Sequence, residues 1–524
     1  MLENIVKAYS RGCWINNWIE RRAQHTPNWL ALIDDATGED RRLSFKDFND
    51  RVNRVASALR DTLNLRKGDR VAMLSWARIE VLEALFASSK LGCVFTPLNT
   101  RHTAREIARF LSEVKPKVLI YESEFSGVVK ELAGNVGIES LINIGGEGVE
   151  GSISWSSLYD SPPLDKPVEV GIEDPLMILQ TGGTTGRPKA AVVPYRMIFW
   201  NALNTIRDLI IPGDLTITAL PLFHIGGYTY VIPLLMFGGA NFIMHRWDVD
   251  KFIDYVERER PSFLFLVPTQ LKMLLDNPRF SKADFSSVRW ITSGGAALTR
   301  EIIRGIFRKG ITMKQGFGMT EMGPGVFALD PWDAHRKMGS IGLPNLLVEA
   351  KVVREDGRIA GAGEEGELLL RSPSIFGGYL TMAEETAKAV RDGWLHTGDI
   401  VKRDDEGFFW VVGRSKNVIR SGAESIYPEE VEKVLLEHPA VVEAVVIGVR
   451  DEKWGEVPKA LIVLREGARI TKDELVEFCM GKIAKYKIPK YIQVVKAIPK
   501  TDVGKVSRRK LVELFGEPRD EIGD

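Results

Sequence analysis

The sequence predicts an α/β protein of more than one domain, with a β-rich lobe after about residue 346 and a compact α/β segment closing the chain. Three observations carry this. The chain has 524 residues, more than one hydrophobic core can organise. Helix-like and strand-like patterns alternate over its first two thirds, which argues for layered parallel sheets. From about Leu346 the alternation gives way to short strands separated by turns such as Asp356-Gly357.

The first run spans about Trp14 to Glu122. Ser44-Phe45-Lys46-Asp47 reads as a helix start, and Phe48, Val52, Val55 and Leu59 recur at helical spacing behind it. Gly68-Asp69 leads into a buried strand, Arg70 to Leu74. A helix over Glu80 to Lys90, a strand at Cys93 to Pro97, a helix at Ala104 to Glu113 and a strand at Lys117 to Tyr121 follow. A second run begins near Pro175. Leu176 to Leu179 is a short apolar strand, Ala190-Ala191-Val192-Val193 another, and Met197 to Asp208 a helix. Strands at Leu215 to Leu220, Phe263 to Val267, Arg289 to Thr292 and Thr312 to Gly316 each end at a polar or glycine-bearing turn. Ligands of open α/β sheets bind at the carboxyl ends of strands, so these turns are candidates for one shared site. In the β-rich lobe, Val348 to Val353, Gly366 to Arg371 and Phe408 to Val412 read as strands. The short polar stretch Arg414-Ser415-Lys416-Asn417 reads as a linker, which divides the chain into residues 1–413 and 414–524. No internal repeat or low-complexity tract interrupts this plan.

Bulk composition excludes several classes of function. Hydrophobic residues make up 44% and charged residues 27%, ordinary for a globular protein. Lys+Arg and Asp+Glu both number 70, so there is no basic excess of the kind a nucleic-acid surface needs. Cys13, Cys93 and Cys479 lie far apart, with neither metal spacing nor a disulfide framework, which suits a reducing cytoplasm. Met1-Leu2-Glu3-Asn4 does not open a basic-then-apolar leader, so no signal peptide is expected. Apolar stretches such as Val231 to Phe237 are too short to span a bilayer. The sequence leaves room for a homodimer.

The chemistry gathers around Thr181-Gly182-Gly183-Thr184-Thr185-Gly186-Arg187-Pro188-Lys189. Glycines let successive backbone N–H groups turn toward one point and form an anion-binding nest. Threonine hydroxyls add hydrogen bonds, and Lys189 adds a mobile charge. A flexible surface loop has a similar composition. A Walker-type phosphate loop does not: it needs Gly-Lys-Ser/Thr at the start of a helix, whereas Pro188 precedes this lysine and a strand follows it. Four further stretches stand downstream: Gln315-Gly316-Phe317-Gly318-Met319-Thr320-Glu321 after a strand, Trp394-Leu395-His396-Thr397-Gly398-Asp399 with its carboxylate in a turn, Gly413-Arg414-Ser415-Lys416, and Pro499-Lys500-Thr501-Asp502-Val503-Gly504-Lys505.

In this order the five stretches resemble the acyl-adenylate-forming superfamily: acyl- and aryl-CoA synthetases, adenylation domains of nonribosomal peptide synthesis and firefly-type luciferases. The resemblance covers nearly the whole chain. It implies a large N-terminal domain of two α/β subdomains plus a β-barrel lobe, and a small mobile α+β C-terminal domain. It also implies a reaction in two halves. A carboxylic acid and ATP give acyl-AMP and pyrophosphate, and coenzyme A then displaces AMP to form a thioester.

By this resemblance, residues 181–189 would cradle the β- and γ-phosphates. Glu321 with Thr181 would hold Mg²⁺, a hard cation that prefers oxygen ligands. Thr320 would donate to the α-phosphate, and Phe317 would stack on adenine beside the Ser293-Gly294-Gly295-Ala296 turn. Asp399 would accept from the ribose hydroxyls, and Arg414 would bind ribose or phosphate. Lys505 would be the adenylation catalyst, a point charge between carboxylate and α-phosphate; outside this motif it would read as a solvated surface lysine. His224 alone reads as a structural histidine. The resemblance sets it beside the acyl pocket, where it would order the carboxylate or gate the pocket. A general base is not needed, because a carboxylate is already ionised at neutral pH. The pocket itself would draw on Phe223, His224, Tyr228, Gly295, Met322 and Val326, mostly apolar or small. That favours a medium- or long-chain fatty acid or an aryl acid over acetate. Ser421, Gly422 and Ala423 would line the pantetheine tunnel and Trp454 would meet the CoA nucleotide. Lys416 would be the hinge about which the small domain turns between half-reactions.

The chain departs from the pattern at Gly182 (commonly Ser), Ala190 (commonly Gly), Pro194-Tyr195 (commonly Ser-His), Phe317 (commonly Tyr) and Asn417 (commonly Asp). Gly182 removes one hydroxyl from the phosphate loop. Three rivals share these features: a ligase that loads a separate carrier protein, a non-catalytic nucleotide-binding relative, which would be expected to lack Glu321 or Lys505, and a luciferase-type oxygenase.

Overall fold

The computed structural model describes residues 10–521, apart from 133–136, 182–188, 206–209, 297, 415–416, 422–423, 452–453, 481, 484 and 501–505. Among the described residues the strands form five sheets.

The largest is seven-stranded, in the order Ile153–Ser154, Ser140–Ile144, Val118–Glu122, Arg70–Leu74, Val94–Pro97, Pro175–Thr181, Lys189–Pro194. All its neighbours are parallel except the last pair, which is an antiparallel hairpin. Two helices show why the sequence pattern was readable. Phe45–Asp61 starts in a capping box: the Ser44 hydroxyl accepts from the Asp47 N–H at 3.1 Å while Asp47 reaches back to the Ser44 N–H. Its Phe48, Val52, Val55 and Leu59 are all buried. Ile79–Leu91 is buried on every side and stops at Gly92, whose φ of +66° is a left-handed cap that glycine adopts without strain.

The expected second α/β run is not a separate unit. Its first strand joins the sheet of the first run, with Met177 opposite Phe95. Conversely, Leu30–Asp34, from the N-terminal run, pairs in parallel with Ala240–Ile243 in a four-stranded sheet with Leu215–Thr218 and Arg41–Ser44. Strand partners are chosen by packing across the whole chain, which local patterning does not encode. A third sheet runs Leu264–Phe265, Trp290–Ser293, Thr312–Met319, Gly323–Ala328, Leu343–Pro344. The β-rich lobe is a five-stranded antiparallel sheet of Glu349–Val353, Glu365–Arg371, Trp394–Arg403, Val390–Arg391 and Phe409–Arg414, bridged to the third sheet at Gly342–Phe409. The closing segment folds around Gly455–Leu464, which pairs with Val441–Asp451, Ile419–Ser421 and Tyr491–Val494 and has its own apolar core. The fold is thus mixed α/β with a large N-terminal part and a small C-terminal one. No helix of the described residues is long and apolar enough to cross a membrane.

Two local expectations change. Gln315 to Met319 do not follow a strand; they are its second half, within Thr312–Met319. This is possible because Gly318 lies against the neighbouring strand, where a Cβ would fall 2.2 Å from the Pro324 carbonyl oxygen. Asp399 is not in a turn either. It sits inside Trp394–Arg403, opposite Arg414, held there by the ladder between the two strands.

Candidate active site

The carboxyl ends of the parallel strands open onto one cavity of about 2810 Å³. Pro221 to Gly227 follow Leu215–Thr218. Gly294, Gly295 and Ala296 follow Trp290–Ser293. Thr320 and Glu321 form the turn after Thr312–Met319. All of these line the cavity, as do Thr181, Lys189, Gln315, Gly316, Phe317, Gly318, Met319, Asp399 and Arg414. The structure therefore brings together residues more than 200 positions apart.

Thr181 and Lys189 are the facing ends of the hairpin Pro175–Thr181/Lys189–Pro194. Gly182, Gly183, Thr184, Thr185 and Gly186, which connect them, lie outside the described residues. Lys189 pairs with Glu385 at 2.7 Å, which holds that carboxyl near a pKa of about 2, and its ammonium lies 4.6 Å from the centre of the Tyr379 ring. The Tyr379 hydroxyl donates to Glu321 Oε1 at 2.7 Å. Burial, then the neighbouring carboxylate, pushes the Tyr379 pKa up, so this hydroxyl stays a donor. Tyr379 carries no local motif: it arrives from the β-rich lobe, where Gly377 and Tyr379 pair with the hairpin at Val192 and Ala191.

Among the described residues no group of three or more His, Cys, Asp or Glu side chains forms a metal cage. One carboxylate, Glu321, and the Thr181 hydroxyl both line the cavity, and such a sparse oxygen set would suit Mg²⁺ shared with phosphate oxygens.

Asp399 is buried, and its Oδ1 binds Arg414 Nε at 2.6 Å. The Thr397 hydroxyl accepts from the Asp399 N–H at 3.0 Å, which fixes the backbone beneath the carboxylate. The Phe317 ring meets Phe327 edge-on at 5.8 Å, on a wall where Gly294 closely approaches the Gly316 carbonyl. Gln315 Oε1 and Ser293 Oγ are buried with no hydrogen-bond partner among the described residues. Such orphaned atoms cost stability unless a ligand or water meets them, and here they flank a cavity wall. Arg300, Arg304 and Arg308 line the rim at a spacing that stacks them on one helix face, and none forms an ion pair among the described residues. Burial, then Arg300 and Lys402, lower the pKa of Lys433, against the opposing pull of Glu437 and Glu430.

The expected acid pocket is only partly as read. Phe223, His224 and Gly295 line the cavity, with the Phe223 and His224 rings 5.0 Å apart. Tyr228, Met322 and Val326 do not. Tyr228 is buried with its hydroxyl donated to the Leu222 carbonyl at 2.7 Å, and Met322 and Val326 belong to the main apolar core. Gly226, Thr229, Tyr230, Phe265 and Thr292 take that wall instead. Tyr230 lies two residues past Tyr228 in the same aromatic run, so the stretch was legible but its inward face was not.

Of the residues read as contacting CoA, Ser421 ends the strand Ile419–Ser421 opposite Gly455, which sets it beside Trp454. Trp454 is half exposed, and neither residue lines the cavity. Gly422, Ala423, the hinge candidate Lys416 and Lys505 lie outside the described residues.

Comparison with known proteins adds an independent line. The AMP-binding enzyme family profile matches residues 19–380, and that of the AMP-binding enzyme C-terminal domain matches residues 430–505. An indoleacetate–CoA ligase from Aromatoleum aromaticum is 35% identical over 95% of this chain and 98% of its own length. A feruloyl-CoA synthase from Amycolatopsis sp. is also 35% identical, over 96% and 99%. Among solved structures, the o-succinylbenzoate CoA synthetase of Bacillus subtilis in complex with its acyl-adenylate intermediate superposes with a TM-score of 0.85 at 29% identity, covering 98% of this chain and 100% of that one.

Proposed function

This chain belongs to the AMP-binding enzyme family, and from that premise we propose how its cavity carries out the reaction. The protein is an AMP-forming acid–thiol ligase that uses ATP and coenzyme A. The observation that carries the assignment of roles is the single cavity that holds Thr181, Lys189, the Gly294–Gly295 turn, Thr320, Glu321, Asp399, Arg414, Phe223 and His224 on its walls.

In the first half-reaction a carboxylate oxygen bonds to the α-phosphorus of ATP and the bond to the β-phosphate oxygen breaks, releasing pyrophosphate. Lys189 and the residues of 181–189 hold that leaving group, with Arg300, Arg304 and Arg308 adding positive charge nearby. Phe317 and the Gly294–Gly295–Ala296 turn receive the adenine, with Gln315 Oε1 as an acceptor for its amino group. Asp399 accepts from the ribose hydroxyls while Arg414 keeps it aimed. Thr320 donates to the α-phosphate, where charge develops in the transition state. Glu321, oriented by Tyr379, would hold Mg²⁺ together with Thr181, and that ion would neutralise phosphate charge. His224 orders the incoming carboxylate, and Lys505 is the cation that bridges it to the α-phosphate. In the second half-reaction the CoA sulfur bonds to the acyl carbon, AMP leaves and the thiol proton goes to solvent. Ser421, Gly422, Ala423 and Trp454 guide CoA, with rotation of residues 414–524 about Lys416 between the halves.

The acid is a hydrophobic one. Phe223, Tyr230 and Phe265 on the wall favour it, and the relatives above are named for indoleacetate and feruloyl-CoA. The reaction takes place in the cytoplasm, in keeping with three free cysteines.

A panel of carboxylic acids tests this, read as AMP release that requires both ATP and CoA. Aryl or fatty acids should turn over and acetate should not. Turnover of acetate alone, or preference for a carrier protein over CoA, would overturn the reading.

A further inference from the structure

The two side chains read as handling phosphate and metal, Lys189 and Glu321, stand on different sheets. Lys189 opens the last strand of the seven-stranded sheet, and Glu321 follows Thr312–Met319 in the third sheet. Residues 376–386, from the β-rich lobe, cross both. The Gly377 N–H donates to the Val192 carbonyl at 2.8 Å, the Val192 N–H to the Gly378 carbonyl at 2.9 Å, and the Leu380 N–H to the Ala190 carbonyl at 2.8 Å. On the other side the Phe376 N–H donates to the Glu321 carbonyl at 2.9 Å. The segment is a strap, bonded to the hairpin that carries Lys189 and to the turn that carries Glu321.

The strap is fixed from within. The Thr386 hydroxyl accepts from the Tyr379 N–H at 2.9 Å and donates to the Met382 carbonyl at 3.0 Å, which ties the short helix Ala383–Ala389 to Tyr379. The buried Phe376 ring meets the Tyr379 ring edge-on at 4.9 Å. These contacts hold the backbone on both sides of Tyr379 and set the direction of its side chain.

That side chain touches both phosphate-handling groups, each with a different part. Its hydroxyl donates to Glu321 Oε1 at 2.7 Å, and its ring centre lies 4.6 Å from the Lys189 ammonium. Lys189 also pairs with Glu385 at 2.7 Å. Lys189 and Tyr379 line the cavity, whereas Glu385 does not. The carboxylate therefore pulls the ammonium outward, and the ring holds it at the cavity wall. A lysine stem is flexible, so such a hold decides where its charge sits.

Resting on the ligase reading above, we propose that Tyr379 is a positioning residue for both ends of the phosphate site. Its ring keeps Lys189 turned toward the polyphosphate, and its hydroxyl aims Glu321 at the metal. The two functions sit on separate atoms, so substitution separates them.

The experiment measures binding of ATP and of AMP by isothermal titration calorimetry, without acid or CoA, first in EDTA and then over a Mg²⁺ series. It uses the wild type, Tyr379→Phe and Tyr379→Leu, with thermal melts to establish folding. Tyr379→Phe keeps the ring and loses the hydroxyl. Its ATP affinity in EDTA should stay within about two-fold of the wild type, while the Mg²⁺ concentration needed for the full gain in ATP affinity should rise about ten-fold. Tyr379→Leu loses both parts, so it should show that rise and also bind ATP in EDTA about three-fold or more weakly. AMP affinity should be unchanged in both variants. An unchanged Mg²⁺ requirement in Tyr379→Phe, an unchanged ATP affinity in EDTA in Tyr379→Leu, or equal losses for AMP and ATP in both variants would overturn the proposal while leaving the ligase reading intact. Equal affinity of the wild type for AMP and ATP, with and without Mg²⁺, would instead refute the reading of the phosphate site beneath it.

Discussion

Asp399 and Arg414 carry much of the nucleotide assignment, because a buried carboxyl group with a guanidinium 2.6 Å away is held in place before any ligand arrives. Asp399→Ala should therefore weaken ATP use without changing the order of preference among acids. The expected loss in kcat/KM for ATP is about 10- to 100-fold, the range for a charged hydrogen bond. The wild type should also discriminate against 2′-deoxy-ATP more than the variant does. Equal discrimination in both would remove Asp399 from the ribose. At this scale the sequence showed which residue types mattered and hid their partners. Asp399 was legible as a carboxylate in a glycine-flanked stretch. Its place inside a strand was not, since Thr397-Gly398 carries turn chemistry that the ladder with Phe409–Arg414 overrides. Tyr379, which orients Glu321, was invisible because it comes from 58 residues further along the chain.

Elements whose signals are local were the readable ones. The helix Phe45–Asp61 was legible from Ser44 and its apolar spacing, because a capping box is built from neighbours in sequence. Ser44→Ala should lower unfolding stability by about 1 kcal/mol, measured by urea denaturation, and leave turnover unchanged. A loss of activity instead would mean the helix does more than support the sheet. The partners of Leu30–Asp34 and Pro175–Thr181 were not legible, because their pairing is settled by packing across more than 70 residues. The strand Val118–Glu122 ends in a buried cluster where Glu122 meets both Arg78 at 3.1 Å and His245 at 3.3 Å. Burial alone would lower the His245 pKa, but its contacts with Glu122 and the Ala77 carbonyl outweigh this and raise it. Protonated His245 thus stabilises the fold. That contribution is complete below the ordinary imidazole value of about 6.5 and is lost as pH rises through the raised folded value. The stability advantage of the wild type over His245→Gln should therefore shrink with rising pH across that window. A constant difference would place the effect in packing.

At the scale of the whole molecule, one cavity is lined from four sheets, by Thr181 and Lys189, by Phe223 and His224, by Phe317, and by Asp399 and Arg414, while Lys505, Gly422 and Trp454 belong to the closing segment. The two parts were legible in outline, since the change to short strands and the polar stretch after Gly413 are compositional. Their division of labour was legible only through the resemblance, because a lysine near a chain end carries no chemistry by itself. If Lys505 serves only the first half-reaction, Lys505→Ala should abolish acyl-AMP formation yet still convert supplied acyl-AMP and CoA to thioester. Equal loss of both steps would contradict that division. The acyl-adenylate itself is the central claim. Incubated with ATP, Mg²⁺ and an accepted acid but no CoA, the enzyme should yield bound acyl-AMP and one equivalent of pyrophosphate by mass spectrometry, and adding CoA should convert it to acyl-CoA and AMP. Release of ADP and phosphate, with no acyl-AMP before or after CoA, would contradict the account.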